Sequence, residues 1–193
     1  MTCIVGLVDG DRVWIGGDSA GVNGLDITVR ADTKVFRNAD MLIGFTSSFR
    51  MGQLLHYRLQ PPSREPDADI HRYMVVDFVD AVRNCLKDGG YAHRSNDVES
   101  GGTFLVGYEG RLFSVQSDYQ VGEAIRGYAA IGCGADYALG SLASTGGMPP
   151  EERVRKALEI AELFSGGVRA PFTIQSMAQS MAGRRQLALT EAA

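Results

Sequence analysis

The stretch TCIVGLVDGDRVWIGGDS, residues 2–19, decides the fold of this chain. Two apolar runs containing β-branched residues flank Asp9-Gly10-Asp11, a combination that signals a tight turn. We therefore predict a β-hairpin that begins at residue 2. Its second strand runs into Gly16-Gly17-Asp18-Ser19, and small residues of this kind allow the backbone to approach another group closely.

Strands and helices follow in blocks along the rest of the chain. Strand patterns predict strands at 33–36, 41–45, 103–108, 111–116, 128–131 and 172–174. Helical patterns predict helices at 49–60, 68–87, 135–144 and 151–164, with polar or glycine-rich connections at 20–32 and 88–102. Because hairpins dominate over βαβ crossovers, we expect largely antiparallel sheets whose outer faces carry helices. We expect one domain over residues 1–193, with a tail that frays from about 178.

The composition is that of an ordinary folded domain. Of the 193 residues 45% are hydrophobic and 22% are charged, and the formal net charge is −4. No run or face of Lys and Arg stands out, which argues against a nucleic-acid partner. No apolar segment approaches the ~20 residues that span a bilayer, and the N-terminus lacks the basic start of a signal peptide. We therefore expect no membrane partner and a folded N-terminus at or next to residue 1.

The cysteines and histidines form no metal-binding pattern. Cys3, Cys85 and Cys133 are odd in number and show no CxxC spacing, which favours reduced thiols in a cytoplasmic protein. The three histidines are scattered without HxxxH or HxH spacing. We therefore expect neither a metal nor another cofactor.

Thr2 is a candidate nucleophile, since its small side chain allows an aminopeptidase to remove Met1. An N-terminal threonine carries its own base, because its α-amino group has a reference pKa of about 7.7–8.0 and can accept the hydroxyl proton at neutral pH. The site also needs a cation and an anion that orients it, and Lys34 and Asp18 are candidates. Taken singly, Lys34 reads equally well as a strand-edge residue and Asp18 as a turn residue.

Five short motifs in order resemble the proteasome β-type subunit family, over roughly residues 2–176. The first three are Thr2 itself, Gly17-Asp18-Ser19 and Thr33-Lys34-Val35. The fourth, residues 131–140, resembles the family's G-S-G-x-x-x-A-x-G segment, with Cys133 in place of Ser. The fifth, residues 162–167, resembles its D-x-x-S-G-G segment, with Glu162 in place of Asp and Ser165 at the serine. Residues 41–48 also resemble the family strand that ends at the oxyanion hole.

The resemblance implies a role for each matching residue. Thr2 is the implied nucleophile, Lys34 and Asp18 its charge pair, and Cys133, Glu162 and Ser165 hydrogen-bond around it and its amine. The backbone N–H of Ser48 is the implied oxyanion donor, with Ser47 as the alternative register. Thr46 resembles the base of the S1 pocket, and the backbone from Ser19 to Val22 is expected to pair with the substrate as an added strand.

The same resemblance implies a fold and a function. The fold is the α+β four-layer αββα sandwich of N-terminal-nucleophile hydrolases, with two largely antiparallel sheets between helical layers. The function is that of a threonine-type endopeptidase in a self-compartmentalising homo-oligomeric ring. It would cleave unfolded polypeptides or peptides, with an ATP-dependent unfoldase as a candidate partner. The nearest relatives are bacterial proteasome-like proteases that lack a propeptide. Two alternatives stay open: a ring subunit with weak or no cleavage, and an amidase of the same fold that acts on a small amide.

Overall fold

Two antiparallel sheets form the centre of the structure, a computed structural model that describes residues 1–179. The four-stranded sheet has the order β12-β1-β2-β13 and the five-stranded sheet the order β11-β10-β9-β6-β5. Their strands are β1 (Cys3–Asp9), β2 (Arg12–Gly17), β5 (Val35–Asn38), β6 (Met41–Phe45), β9 (Phe104–Tyr108), β10 (Arg111–Val115), β11 (Val121–Glu123), β12 (Tyr128–Gly132) and β13 (Thr173–Ala178). Two separate hairpins are β3 (Ala20–Asn23) with β4 (Asp26–Val29), and β7 (His93–Ser95) with β8 (Val98–Ser100).

The helices fall into two groups along the chain. The first group is α1 (Phe49–Tyr57), α2 (Ile70–Tyr73) and α3 (Val79–Asp88), with a π-helical turn (Met74–Phe78) joining α2 to α3. The second group is α4 (Ala135–Ser144) and α5 (Pro150–Phe164). In α5 the buried side chains are Val154, Ala157, Leu158 and Ala161, spaced so that they share one face of the helix.

The first strand is buried on both faces, and its side chains alternate between two parts of the core. Cys3, Val5 and Leu7 join a cluster with residues of α4 and α5. Ile4 joins a second cluster with residues of both sheets. A third cluster combines residues of the five-stranded sheet with α1 and the segment from α2 to α3. Strand β1 therefore contacts helices α4 and α5 on one face and the five-stranded sheet on the other.

Glycines allow the close approach of these layers. A Cβ built on Gly44 of β6 would lie 2.6 Å from Ile4 Cγ2 and 2.7 Å from Ile15 Cγ2. A Cβ built on Gly16 of β2 would lie 2.5 Å from Val154 Cγ1 in α5. Both separations are shorter than real Cβ contacts, so a side chain at either position would push the layers apart.

The predicted mixture of helices and antiparallel sheets is confirmed, because every strand pair within residues 1–179 is antiparallel. The first hairpin and the helix at 135–144 have the predicted bounds to within a residue or two. The two predicted connections are partly ordered, since they contain the hairpins β3–β4 and β7–β8. The strand predicted at 172–174 extends to Ala178, and the frayed tail predicted after it lies almost wholly outside the described residues.

Candidate active site

Thr2, Lys34 and Asp18 meet at the start of β1. Lys34 Nζ donates to Thr2 Oγ1 at 2.9 Å and to Asp18 Oδ1 at 2.8 Å. The side chains of Lys34 and Asp18 are 1% and 0% exposed, and Thr2 is 5% exposed. The hairpin supplies Thr2 and Asp18 from neighbouring ends of β1 and β2, while Lys34 comes from the residue just before β5. The three residues that the family resemblance grouped in the sequence are therefore in direct contact in the structure.

Asp18 is fixed by the backbone as well as by Lys34. Its Oδ1 also accepts from Cys3 N at 3.0 Å, and its Oδ2 accepts from Ala20 N at 2.9 Å and Arg169 N at 3.3 Å. A carboxylate with four donors has few ways to move, and these donors compensate for its removal from water. Asp18 therefore holds the lysine in one position against the threonine hydroxyl.

Burial and charge act on Lys34 in opposite directions. Burial lowers the pKa of Lys34, and the charge of Asp18 and its hydrogen bond oppose that effect. A buried cation beside the hydroxyl stabilises the alkoxide that forms when Thr2 loses its proton. The neighbouring Cys3 thiol behaves differently, because burial raises the pKa of Cys3 to about 12. Cys3 is therefore a neutral core residue and not a second nucleophile.

Cys133 and Ser165 border the other side of Thr2. Cys133 Sγ lies 3.3 Å from Thr2 N and 3.5 Å from Thr2 O, and it accepts from Ser165 Oγ at 3.2 Å. With Met1 in place, Thr2 N is a peptide nitrogen and stands where the free amine would lie. The Thr2 hydroxyl donates to the Met1 carbonyl oxygen at 2.5 Å. Gly132 has φ +95°, and a Cβ there would lie 2.2 Å from Thr2 O, so only glycine fits beside Thr2.

The two residues that the resemblance offers as oxyanion donors, Ser48 and Ser47, differ in their hydrogen bonds. The Ser48 N–H donates to Thr46 O at 2.9 Å, and the Ser48 hydroxyl caps α1 by accepting from Arg50 N. Ser48 is therefore the N-cap of a helix, and its amide is already used. The alternative register fits better, because Ser47 has φ +70° and its N–H has no acceptor among residues 1–179.

Ser47 and Thr46 also face a shallow groove of about 530 Å³ beside Thr2, which we call the Met1 groove. Its lining includes Met1, Thr103, Gly132 and Cys133. Thr46 is buried, and its Oγ1 lies near Gly132. Thr46 thus lies on the Cys133 side of Thr2, whereas the pocket lined by Asp32, Thr33 and Phe49 does not include it.

Ser19 is not free to bind a substrate strand. Its N–H donates to Arg169 O at 2.8 Å, its carbonyl accepts from Arg30 N at 2.9 Å, and its hydroxyl donates to Pro171 O at 2.6 Å. Val22 differs, because bonded positions alternate along an antiparallel pair. The Ser19 carbonyl is hydrogen-bonded to Arg30 on the β4 side. Val22 lies three residues later, so its backbone N–H and C=O point to the opposite edge of β3. That edge has no partner strand within the described chain.

Glu162 lies away from the threonine. Its Oε1 accepts from Ala170 N at 2.9 Å. The residue lies in the last turn of α5, and from there its longer side chain reaches the following loop instead of the Thr2 amine. That loop in turn supplies the Arg169 N–H to Asp18, so Glu162 contacts the site only through the backbone of residues 169 and 170.

Residues 1–179 contain neither a metal-binding cluster nor a membrane-spanning helix. No group of three His, Cys, Asp or Glu side chains within residues 1–179 is placed to hold a metal ion. In the same range, no helix has both the length and the apolar character required to cross a membrane.

Comparison with known proteins gives a clear result at the level of structure. No family model matches the sequence, and no curated protein matches it either. Thiobacillus denitrificans BPH in complex with epoxomicin superposes with a TM-score of 0.75 at 21% identity, covering 92% of this chain and 99% of that one. A second structure of BPH gives 0.75 at 20% identity, with 93% and 99% covered. Eukaryotic HslV from Trypanosoma brucei gives 0.65 at 18% identity, with 92% and 99% covered. The chain has the BPH and HslV fold. The resemblance to proteasome-type subunits drawn from the motifs is thereby confirmed for the fold.

Within the BPH and HslV fold, several groups at the site were not predicted from the sequence. The backbone N–H groups of Cys3 and Arg169 that donate to Asp18 could not be predicted from the residue types, because any residue but proline supplies an N–H. Gly132 did carry a signal, since glycines on both sides of Cys133 indicate a tight backbone there. Phe49, which lies beside Lys34, and Arg30, which lies over the Phe49 ring, also had no motif to mark them.

Proposed function

We propose that this chain is a threonine-type endopeptidase subunit whose nucleophile is Thr2 after loss of Met1. The observation that carries the proposal is the 2.9 Å contact between Lys34 Nζ and Thr2 Oγ1, with Asp18 bound to the lysine and to three backbone N–H groups. A buried lysine and aspartate serve no obvious packing purpose, since a buried ion pair seldom adds stability over apolar residues. Their contact with the Thr2 hydroxyl supports a chemical role.

In the proposed reaction, the Thr2 hydroxyl attacks the carbonyl carbon of a peptide bond. The freed Thr2 amine accepts the hydroxyl proton, directly or through water, while the Lys34 charge stabilises the developing alkoxide. The Ser47 N–H stabilises the tetrahedral oxyanion, a contribution of about 2.7–4 kcal/mol for one donor. The C–N bond then breaks, and the protonated amine returns its proton to the leaving nitrogen. Water hydrolyses the remaining threonine ester by the same steps in reverse.

Removal of Met1 is part of the mechanism. The nitrogen of the Met1–Thr2 peptide bond cannot accept a proton, and the Met1 carbonyl takes the hydrogen bond of the nucleophile. Once Met1 is absent, Cys133 Sγ and Ser165 Oγ border the amine. Cys133 is a weak hydrogen-bonding group and would orient the amine only loosely.

The wider proposal concerns architecture and setting. We infer a four-layer αββα order, which the three separate core clusters support. We also infer a homo-oligomeric ring that acts on unfolded polypeptides, with an ATP-dependent unfoldase as partner. The free Cys3, Cys85 and Cys133 are consistent with a cytoplasmic setting.

The test combines intact mass with hydrolysis of a fluorogenic peptide. The purified protein should lack Met1 and cleave the peptide, and Thr2→Ala should not cleave it. Lys34→Arg should lose activity by about 10²–10³-fold, because a bulkier planar cation cannot occupy the same buried space. Lys156→Arg is the matched control, since Lys156 is half exposed on α5 and should keep full activity. Full activity in protein that retains Met1 would show that the amine is not the base.

Epoxomicin offers a second readout that does not depend on the choice of peptide. BPH has been solved in complex with this compound. We expect epoxomicin to inhibit the wild-type protein and to fail to bind Thr2→Ala. Binding of equal strength to both proteins would separate the compound from the proposed nucleophile.

A further inference from the structure

A groove of about 440 Å³ lies at the end of the two sheets that is remote from Thr2. We call it the turn-end groove, and its lining residues are Val8, Gly110, Arg111, Leu112, Glu123, Ala124, Ile125 and Gly127. They come from the far end of β1, from β10, and from the end of β11 with its connection to β12. A strand rises about 3.3 Å per residue, so Val8 lies about 20 Å from Thr2 along β1. The groove therefore takes no part in the proposed chemistry.

The turn-end groove suits an apolar side chain. Leu112 is buried in its wall, and Ile125 on its rim is fully exposed. The two charged lining residues, Arg111 and Glu123, bind each other through a bidentate ion pair. Single exposed apolar side chains are common on protein surfaces, but Ile125 borders a groove with apolar walls. An apolar group placed there would cover both the wall and the rim.

The described part of the chain ends beside the turn-end groove. Strand β13 pairs with β2 as far as Ala178, which lies opposite Arg12. Gln179 N then donates to Asp11 O at 2.7 Å, in the turn between β1 and β2. A Cβ built on Gly110, a lining residue, would lie 3.5 Å from Gln179 Cβ. The chain after Gln179 therefore starts at the edge of the groove.

Residues 180–193, which lie outside the described residues, contain apolar side chains that fit such a groove. Leu187 and Leu189 are separated by one residue, and in an extended segment their side chains share one face. Leu187 comes eight residues after Gln179, and eight residues span at most about 26–29 Å. Because Gln179 already lies against a groove residue, this length is sufficient for both leucines to reach the groove.

The charges beside Gln179 are opposite to those that precede the two leucines. Asp9 and Asp11 are exposed in the turn between β1 and β2, and Arg184-Arg185 come just before the leucines. Arg12, the basic residue next to this turn, donates to Ser176 Oγ. Exposed charges attract one another only weakly. A segment on a short tether, however, has an effective concentration in the millimolar range, so weak contacts are enough to hold it.

We propose that residues 187–189 of this chain bind in its own turn-end groove, with Leu187 and Leu189 packed against Leu112 and Ile125. The bound segment connects the end of β13 to β10 and to the connection between β11 and β12. It thereby links the two sheets at the end that is remote from Thr2. The proposal does not depend on the peptidase function, because no group of the candidate active site takes part in it.

The experiment uses full-length protein with a pair of introduced cysteines and a short bis-maleimide cross-linker. Ile125→Cys with Leu187→Cys should give a linked peptide pair within one chain, identified by mass after proteolysis. Leu25→Cys with Leu187→Cys is the matched control, since Leu25 is also fully exposed but lies in the turn between β3 and β4. We expect the first pair to give at least tenfold more linked peptide than the control. Equal yields from the two pairs overturn the proposal.

A mixture of the two single variants separates the same chain from a second copy. Linkage between Ile125→Cys on one chain and Leu187→Cys on another, at the yield of the double variant, would assign the groove to a neighbouring copy and overturn the proposal.

Hydrogen exchange gives a readout that needs no cysteine. The amides of Val8 and Gly127 are both hydrogen-bonded beside the groove, to Gly127 O and Ala124 O. Leu187→Asp should speed their exchange at least threefold, because the charged side chain cannot pack in an apolar groove. Ala188→Asp adds the same charge on the opposite face of the segment and should leave the exchange unchanged. Equal exchange rates in these two variants would overturn the role of Leu187.

Discussion

At the scale of single residues, the charge state of Lys34 sets the upper pH limit of the proposed activity. Burial lowers the pKa of Lys34 from 10.5, so the lysine loses its charge at a lower pH than a free lysine does. We expect kcat/KM to rise as the Thr2 amine loses its proton and to fall again as Lys34 does, with the falling limb centred below pH 10.5. The measurement is a pH profile of kcat/KM from pH 6 to about 10.5.

Asp18→Asn tests the origin of that limb. The charge of Asp18 raises the pKa of Lys34 against the effect of burial. Removing the charge should therefore move the falling limb to lower pH, provided that circular dichroism shows a folded protein. A limb that stays in place in the folded variant would mean that Lys34 is not the group that titrates there.

Glu162 provides a second prediction for a single residue. Its carboxylate accepts from Ala170 N, and glutamine offers an oxygen in the same place. Glu162→Gln should therefore keep kcat within about twofold, whereas Glu162→Ala should lose about 0.5–1.5 kcal/mol of unfolding free energy and some activity. The two variants are compared by peptide hydrolysis and urea unfolding. A large fall in kcat for Glu162→Gln alone would place the charge nearer to Thr2 than the structure does.

These residues show which parts of the site could be predicted from the sequence. The hairpin pattern brings Thr2 and Asp18 to neighbouring strand ends, whereas Lys34, which precedes β5 of the other sheet, was grouped with them only through the family resemblance. The roles of Ser48, Ser19 and Glu162 could not be predicted, because each depends on which of several nearby partners takes a hydrogen bond. Helix α1 begins at Phe49 and has the Ser48 hydroxyl as its N-cap. The turn at Ser47, which has a positive φ, places Ser48 directly before the helix.

At the scale of elements, the fit between layers depends on glycines in the strands. Gly44→Ala places a Cβ 2.6 Å from Ile4 Cγ2, so we expect the free energy of unfolding to fall by about 1–3 kcal/mol. Gly140→Ala is the matched control, because Gly140 lies in α4 with nothing within 4 Å of its Cβ. That change should raise stability by about 0.4–1 kcal/mol. Urea unfolding of both variants checks the pair, and equal effects would contradict the packing argument.

The elements that the sequence did not predict are the two small hairpins and the short strand β11. Gly24-Leu25 joins β3 to β4, and a glycine at the first position of a two-residue loop is a known signal for a tight hairpin turn. Asn96 and Asp97 both have positive φ in the turn between β7 and β8. Both signals stood in polar stretches without alternating apolar residues, so the turn residues were the only indication of strands.

At the scale of the whole molecule, an exposed apolar surface lies on the second helix pair. Tyr137 on α4 and Phe164 on α5 have ring centres 5.5 Å apart, and the neighbouring Leu163 is 73% exposed. Large exposed apolar groups placed together are typical of contact surfaces between subunits. We expect the wild-type protein to form a closed oligomer and the double change Leu163→Glu with Phe164→Glu to weaken it. Native mass spectrometry measures both, and a wild-type monomer at micromolar concentration would contradict the ring.

The four donors around Asp18 have a consequence for the timing of protein synthesis. Arg169, which supplies one of them, is 151 positions from Asp18 along the chain, and Cys133 is 131 positions from Thr2. At translation rates of about 5–20 residues per second, roughly 8–30 s separate the synthesis of Asp18 from that of Arg169. Throughout that interval the growing polypeptide has its hydroxyl but not the surroundings that would activate it. On the proposed mechanism, the nascent chain therefore cannot cleave peptides until Arg169 has been made.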